Sequence, residues 1–196
     1  MKDLNKILQI RYNNVTPVAG RLLVAEPFLG DPFFSRSVVL LIEHNEEGTF
    51  GLIMNKEVPV KPSEAVRALG SYEGKVFVGG PVQPRSIFYL HTLGERLEGS
   101  HRVLDQLYWG GDAQQLSEMI MQGLVKPDEV RFYLGYSGWS PGQLQDELKR
   151  NSWVVTSAQA DLLWNTPPKS LWKTLLRNMG GKYTYWINFP TDPLLN

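Results

Sequence analysis

The run Ser37 to Glu43 (SVVLLIE) constrains this chain more than any other stretch. It is a near-continuous series of β-branched and leucine residues, the pattern of a strand buried on both faces. Turn chemistry follows at Asn45-Glu46-Glu47-Gly48, and Thr49 to Met54 is apolar again, so the two segments predict a β-hairpin. Upstream, Arg21 to Ala25 predicts another strand, ended at Glu26-Pro27 because proline brings no ladder donor. Glu26, Asp31, Arg36, Glu43, His44 and Asn55 are set between and after these runs. A core strand does not need charges at both ends, so Gly20 to Lys56 is the stretch in which a site is sought.

Elsewhere the pattern is mixed. Leu4, Ile7 and Leu8 repeat at helical spacing and predict a short N-terminal helix. Helices are also expected over Pro62–Leu69, from Asp112, from Ser140 to about Arg150, over Gln159–Trp164 and over Lys169–Met179. Asp112 with Gln115, and Ser140 with Gln143, read as capping boxes. Gly180-Gly181 stops the last helix. Strands are expected over Lys75–Val78, Ser86–His91, Val103–Trp109, Val130–Tyr136 and Trp153–Thr156. Strands cluster early and helices late, which favours an α+β fold over a doubly wound sheet.

Composition narrows the function classes. A chain of 196 residues that is 42% hydrophobic and 20% charged is an ordinary globular one. Lys and Arg balance Asp and Glu at 20 each, so the basic excess of a phosphate-contacting nucleic-acid binder is missing. Cysteine is absent, which removes disulfides, thiolate metal sites and a cysteine nucleophile. The start MKDLNKILQIRYNN carries charges inside any apolar region, unlike a signal peptide, and no run approaches the ~20 apolar residues of a membrane span. The expected location is cytoplasmic.

No complete catalytic motif is found. Gly135-Tyr136-Ser137-Gly138-Trp139 lies between a strand and a helix but lacks the final glycine of a nucleophile elbow. The histidines are His44, His91 and His101, without metal-ligand spacing, and adjacent strand residues such as Glu43 and His44 point to opposite faces. No metal or other cofactor is expected. Gly79-Gly80 and Gly110-Gly111 read as turns rather than phosphate loops. Asp31 is suited to cap a helical turn and is also an available partner for Arg36; Glu147 and Arg150 have the spacing of a helical ion pair. From Leu162 to Thr191 there is no acidic residue, and Lys169, Lys173 and Arg177 form a stripe beside an apolar helix face. That stripe is a candidate patch for an anionic partner, or the solvated edge of a docked helix.

The blocks GRLLVAEPFLGDPFFSRSVVLLIEH (20–44), GLIMNK (51–56), VFVGGPV (76–82), LH (90–91) and LGYSGWSPGQLQDEL (134–148), with Trp153, resemble the AlgH/YqgE family of bacterial proteins. The resemblance implies one α+β domain over residues 1–196, in which a split β-sheet curls into a pseudo-barrel flanked by helices. Its shared core covers about 20–155, and a C-terminal helix and aromatic tail occupy 159–196. It implies no established activity; members are often labelled transcriptional regulators. Carried over by motif, the family's polar positions fall on Asp31, Arg36, Glu43, His44, Asn55, His91 and Gln143. Lys56-Glu57 departs from a common Arg-Pro, and Ser86-Ile87 from a common glycine.

These observations lead to a regulatory or binding protein acting through the surface around Asp31, Arg36, His44 and Gln143 on a protein or small-molecule partner. The alternatives are a hydrolase using the Asp31/Arg36/His44 region, with His44 or Glu43 as base and Arg36 or Asn55 on an oxyanion, and direct DNA binding.

Overall fold

The computed structural model describes residues 13–190, and the helix expected on Leu4, Ile7 and Leu8 lies outside them. Ten strands are present among these residues: β1 (Arg21–Ala25), β2 (Val38–Asn45), β3 (Gly48–Ile53), β4 (Glu57–Val58), β5 (Lys75–Val78), β6 (Val82–His91), β7 (His101–Leu104), β8 (Leu107–Trp109), β9 (Val130–Trp139) and β10 (Trp153–Ser157). The main path is β10-β1-β2-β3-β9-β6-β8-β7, and β5 joins β4 to β9. The sheet curls into a half-barrel flanked by helices, in one domain.

β9 is the seam of the split sheet. Its C-terminal residues pair with β3 (Gly51 opposite Ser137), while its N-terminal residues pair in parallel with β5 (Lys75 opposite Arg131). β6 runs antiparallel along the other edge. The chain therefore has to cross over β9 between Val78 and Val82. It does so on glycines: a Cβ on Gly79 would lie 2.1 Å from the Gly135 carbonyl oxygen, and one on Gly135 would lie 2.6 Å from that of Gly80. Gly79-Gly80, expected as a turn, is thus a backbone crossing. Only residues without a Cβ allow two chains so close.

Among the described residues, five α-helices cover the sheet: α1 (Pro62–Ala65), α2 (Ala113–Met121), α3 (Gln143–Lys149), α4 (Ala160–Asn165) and α5 (Pro168–Met179). Alternation along β1 divides the core. Leu22 and Val24 pack with α4, α5 and the final 3-10 turn, whereas Leu23 and Ala25 pack with α3. Val38 to Leu41 are fully buried, because both faces of β2 are covered. α5 buries Leu171, Trp172, Leu175 and Leu176, each worth about 1.5–3 kcal/mol.

Local differences from the sequence expectations have local causes. Pro62–Leu69 is not one helix: Val66 is extended, and a 3-10 turn follows at Arg67–Leu69. Val103–Trp109 is a hairpin of two strands. Asp112 caps α2 through the Gln115 amide at 2.8 Å, but the Gln115 side chain accepts from Glu98 N rather than closing the box. α3 starts at Gln143, not Pro141, because Gly142 has φ +79°; the Gln143 side chain still accepts from Ser140 N at 3.0 Å.

Candidate functional site

The polar positions singled out in the sequence are divided between the two ends of β2. From Val38 to His44 the strand extends about 20 Å. Asp31, Arg36 and Asn55 are at its start, Glu43 and His44 at its end.

At the start, the groups serve the backbone. Asp31 accepts from the amides of Phe33 (2.7 Å) and Phe34 (3.1 Å), as a cap does. Arg36 has a left-handed φ of +51°, and Asn55 braces that bend by donating to Arg36 O (3.0 Å) and accepting from Val38 N (2.9 Å). Arg36 does not pair with Asp31. It donates to Phe189 O at 2.6 Å and its guanidinium is 5.1 Å from the Trp172 ring, tying the tail to the core. Among the described residues, Arg36 Nε and Ser37 Oγ are buried without a partner. Burial holds the Arg36 pKa below its ordinary value.

His91 is a core residue. Leu93 N donates to its Nδ1 (3.2 Å), which places the proton on Nε2, facing Gly110 O at 2.9 Å. Its ring stacks on Tyr108; Nδ1 as an acceptor requires the neutral ring, and burial lowers the pKa against the opposing Gly110 hydrogen bond. Ser137 is also buried and donates to Gly79 O at 2.9 Å.

At the far end of β2 a groove of about 460 Å³ opens. Phe50, Tyr136, Val82, Trp139 and Pro141 supply its apolar wall, and the Phe50 and Tyr136 rings are 4.8 Å apart. Glu43 and Glu47 stand at it, and among the described residues no Lys or Arg lines it. β6 begins at Val82, opposite Tyr136, so among the described residues β9 has no strand beside it on that edge from Ser137 onward. A β-bulge between Leu41 and Glu43 aligns Glu43 with Phe50 and His44 with Thr49. His44 Nδ1 is 2.6 Å from Thr49 Oγ1, and Gln145 Nε2 approaches His44 Nε2 at 3.5 Å. Thr49, also at the groove, is 8% exposed.

Gln143 stands beside this groove through Ser140, but its amide nitrogen is committed to Glu147 (3.0 Å). Glu147 is the hub there. One carboxylate oxygen accepts from both Trp139 Nε1 (2.9 Å) and Trp153 Nε1 (2.7 Å), so it does not serve Arg150 as its spacing suggested. A lone glutamate on a helix flanked by two tryptophans is the signal that marks it in the sequence.

Lys169, Lys173 and Arg177 are exposed on α5. Lys169 and Asn55 line a second groove with Lys56, Lys75, Arg131 and Trp164. Arg131 interrupts an otherwise apolar strand, and that interruption was its sequence signal. Among the described residues, no three His, Asp or Glu side chains group to hold a metal ion, and no helix is long and apolar enough to cross a membrane.

A family model described as AlgH-like matches residues 22–184. A UPF0301 protein of Parabacteroides distasonis is 38% identical over 198 residues, covering all of both chains. One of Bacteroides thetaiotaomicron is 41% identical over 97% of each. The solution structure of the AlgH protein from Pseudomonas aeruginosa superimposes with a TM-score of 0.70 at 26% identity, over 92% of this chain and 98% of that one. A crystal structure of a Corynebacterium diphtheriae protein gives 0.76 at 23% identity, over 94% and 97%; that likeness concerns the fold.

Proposed function

The chain belongs to the AlgH-like family, and from that premise we propose that it is a cytoplasmic binding protein which receives a positively charged, apolar-anchored segment of a partner protein. The observation that carries this reading is the groove at the end of β2. Two carboxylates, Glu43 and Glu47, border an aromatic wall beside an open strand edge, with no cation among the described lining residues. His44 and the start of α3 at Gln143 form its margin. Carboxylates select basic side chains, the rings bury an apolar anchor, and the free edge of β9 offers backbone groups to an extended chain. A regulatory role follows if that partner controls transcription.

Isothermal titration with short Lys- and Arg-containing peptides bearing one aromatic residue tests the reading. Glu43→Gln with Glu47→Gln weakens binding about tenfold, from two exposed charge pairs at ~0.7 kcal/mol each. Equal affinity for acidic peptides of the same length sinks the idea.

One contact favours a hydrolytic second reading: His44 and Thr49 have the spacing of a base and a hydroxyl nucleophile. Against it, Thr49 is buried, and Arg36 and Asn55, the intended oxyanion donors, are at the opposite end of β2. Turnover in a broad hydrolase screen, abolished by His44→Ala and Thr49→Val, is the result that would establish it. DNA contact through the exposed Lys169, Lys173 and Arg177 requires a salt-dependent duplex shift that their removal abolishes.

A further inference from the structure

The second groove, of about 920 Å³, has the opposite chemistry from the first. It is lined by the segments 55–59 and 164–169, with Lys75 and Arg131 contributed by β5 and β9. In a chain with no net charge, it gathers four cations, Lys56, Lys75, Arg131 and Lys169, against one carboxylate, Glu57. Glu57 is taken by Lys75 at 3.6 Å, and Lys56 donates to Pro32 O at 3.3 Å; burial lowers the Lys56 pKa and the Asp31 charge opposes that shift. Among the described residues, no ion pair to Arg131 or Lys169 is formed.

Arg131 is the unusual member. It is 6% exposed and has no carboxylate on it. Two carbonyls at the end of α4, Leu163 O (3.2 Å) and Trp164 O, accept from its two terminal nitrogens. The Phe77 and Trp164 rings are 5.3 and 4.2 Å from its guanidinium. Carbonyls and ring faces orient a cation without neutralising it. A guanidinium has five donors, and these two carbonyls do not take all of them. Of the remaining lining, Asn55 and Asn165 spend an amide proton on Arg36 O and Asp161 Oδ1, Thr166 is polar, and Val58, Pro59, Trp164, Pro167 and Pro168 form an apolar part in which the prolines offer no N–H. An anion here is met by side chains.

We propose that this groove binds a phosphate monoester of a small organic molecule. Arg131 and Lys169 match the two charges of the phosphate, Lys56 adds a third donor group, and the organic part lies against Val58 and the prolines. The volume is that of a small-molecule site. A phosphate monoester carries about −1.5 to −2 charge near neutrality, which balances two uncompensated cations. Duplex DNA, by contrast, would engage the exposed Lys173 and Arg177, which do not line the groove.

The test is isothermal titration of the full chain with phenyl phosphate, inorganic phosphate and phenol. Phenyl phosphate is expected to bind saturably and more tightly than inorganic phosphate, and phenol not at all. Lys169→Gln is expected to weaken phenyl phosphate binding about tenfold without changing thermal stability, the loss of one charge-assisted contact. Arg131→Lys weakens it at least as much, because an ammonium lacks the planar fork. Lys173→Gln with Arg177→Gln, and Glu43→Gln, leave it unchanged, which separates this site from DNA binding and from the hairpin groove. Absence of saturable binding, equal loss on removing Lys173 and Arg177, or no loss with Lys169→Gln overturns the proposal. Should Arg131→Lys fail to fold, Lys169→Gln decides the matter alone.

Discussion

Gly79→Ala tests the crossing over β9. The added Cβ meets the Gly135 carbonyl oxygen at 2.1 Å, more than an ångström inside van der Waals contact, and the obstacle is backbone rather than a mobile side chain. Gly79 lacks a left-handed φ, so the effect is steric. Forcing the strands apart costs about 1–3 kcal/mol as overpacking. It also strains three hydrogen bonds: Gly79 N to Leu134 O (2.8 Å), Ile53 N to Gly79 O (3.0 Å) and Ser137 Oγ to Gly79 O (2.9 Å). At about 0.5–1.5 kcal/mol each when disrupted, a partial loss brings the total to about 3–5 kcal/mol. For a chain of this length that lowers Tm by roughly 10 °C. Urea denaturation and thermal circular dichroism measure it. Gly30→Ala is the control, since its Cβ meets nothing within 4 Å. If Gly79→Ala stays within about 0.5 kcal/mol of the parent chain, the crossing does not depend on close packing at this glycine.

Three further outcomes follow from other contacts. Glu147→Ala strands the Trp139 and Trp153 indole N–H groups and destabilises by about 2–4 kcal/mol in urea denaturation, with a shift in tryptophan emission; Glu147→Gln costs less because one acceptor oxygen remains. Asn55→Ala removes the brace on the Arg36 bend and costs about 1–3 kcal/mol by the same measurement, leaving Val38 N and Arg36 O without that partner. The folded protein holds His91 neutral with a lowered pKa, so the unfolded chain binds the extra proton as pH falls below 6.5. His91 thus makes stability decline as pH falls below that value and level off below its folded pKa; a pH series of urea midpoints shows a weaker decline over that window in His91→Gln.

Much of the framework was legible because it is written in local patterns. The bounds of β1 and β5 follow from apolar runs closed by proline and glycine, and the β2–β3 hairpin from its turn residues. The two-sided burial of β2 was visible in the unbroken run from Val38 to Ile42. What escaped involves partners distant in sequence. Gly79 and Gly135 are 56 residues apart, and neither signals that the other lies against it. Glu147 had a convenient neighbour in Arg150, yet two indoles claimed it. The polar residues of the 20–56 stretch were read as one surface, but an extended strand holds Arg36 and His44 at opposite ends. Glu43 and His44 were correctly placed beside the turn, whereas Phe50, Tyr136 and the free edge of β9 emerge only from strand pairing.

Binding of a basic partner segment, as proposed, falls in the groove at the end of β2. Amide chemical-shift mapping during titration with a Lys- and Arg-containing aromatic peptide tests it most directly. Saturable shifts centred on Gly48, Thr49, Phe50, Gly138 and Trp139, reduced in Glu43→Gln with Glu47→Gln, are expected. Shifts centred instead on Asp31, Arg36 and Asn55, or none at saturating peptide, would contradict it.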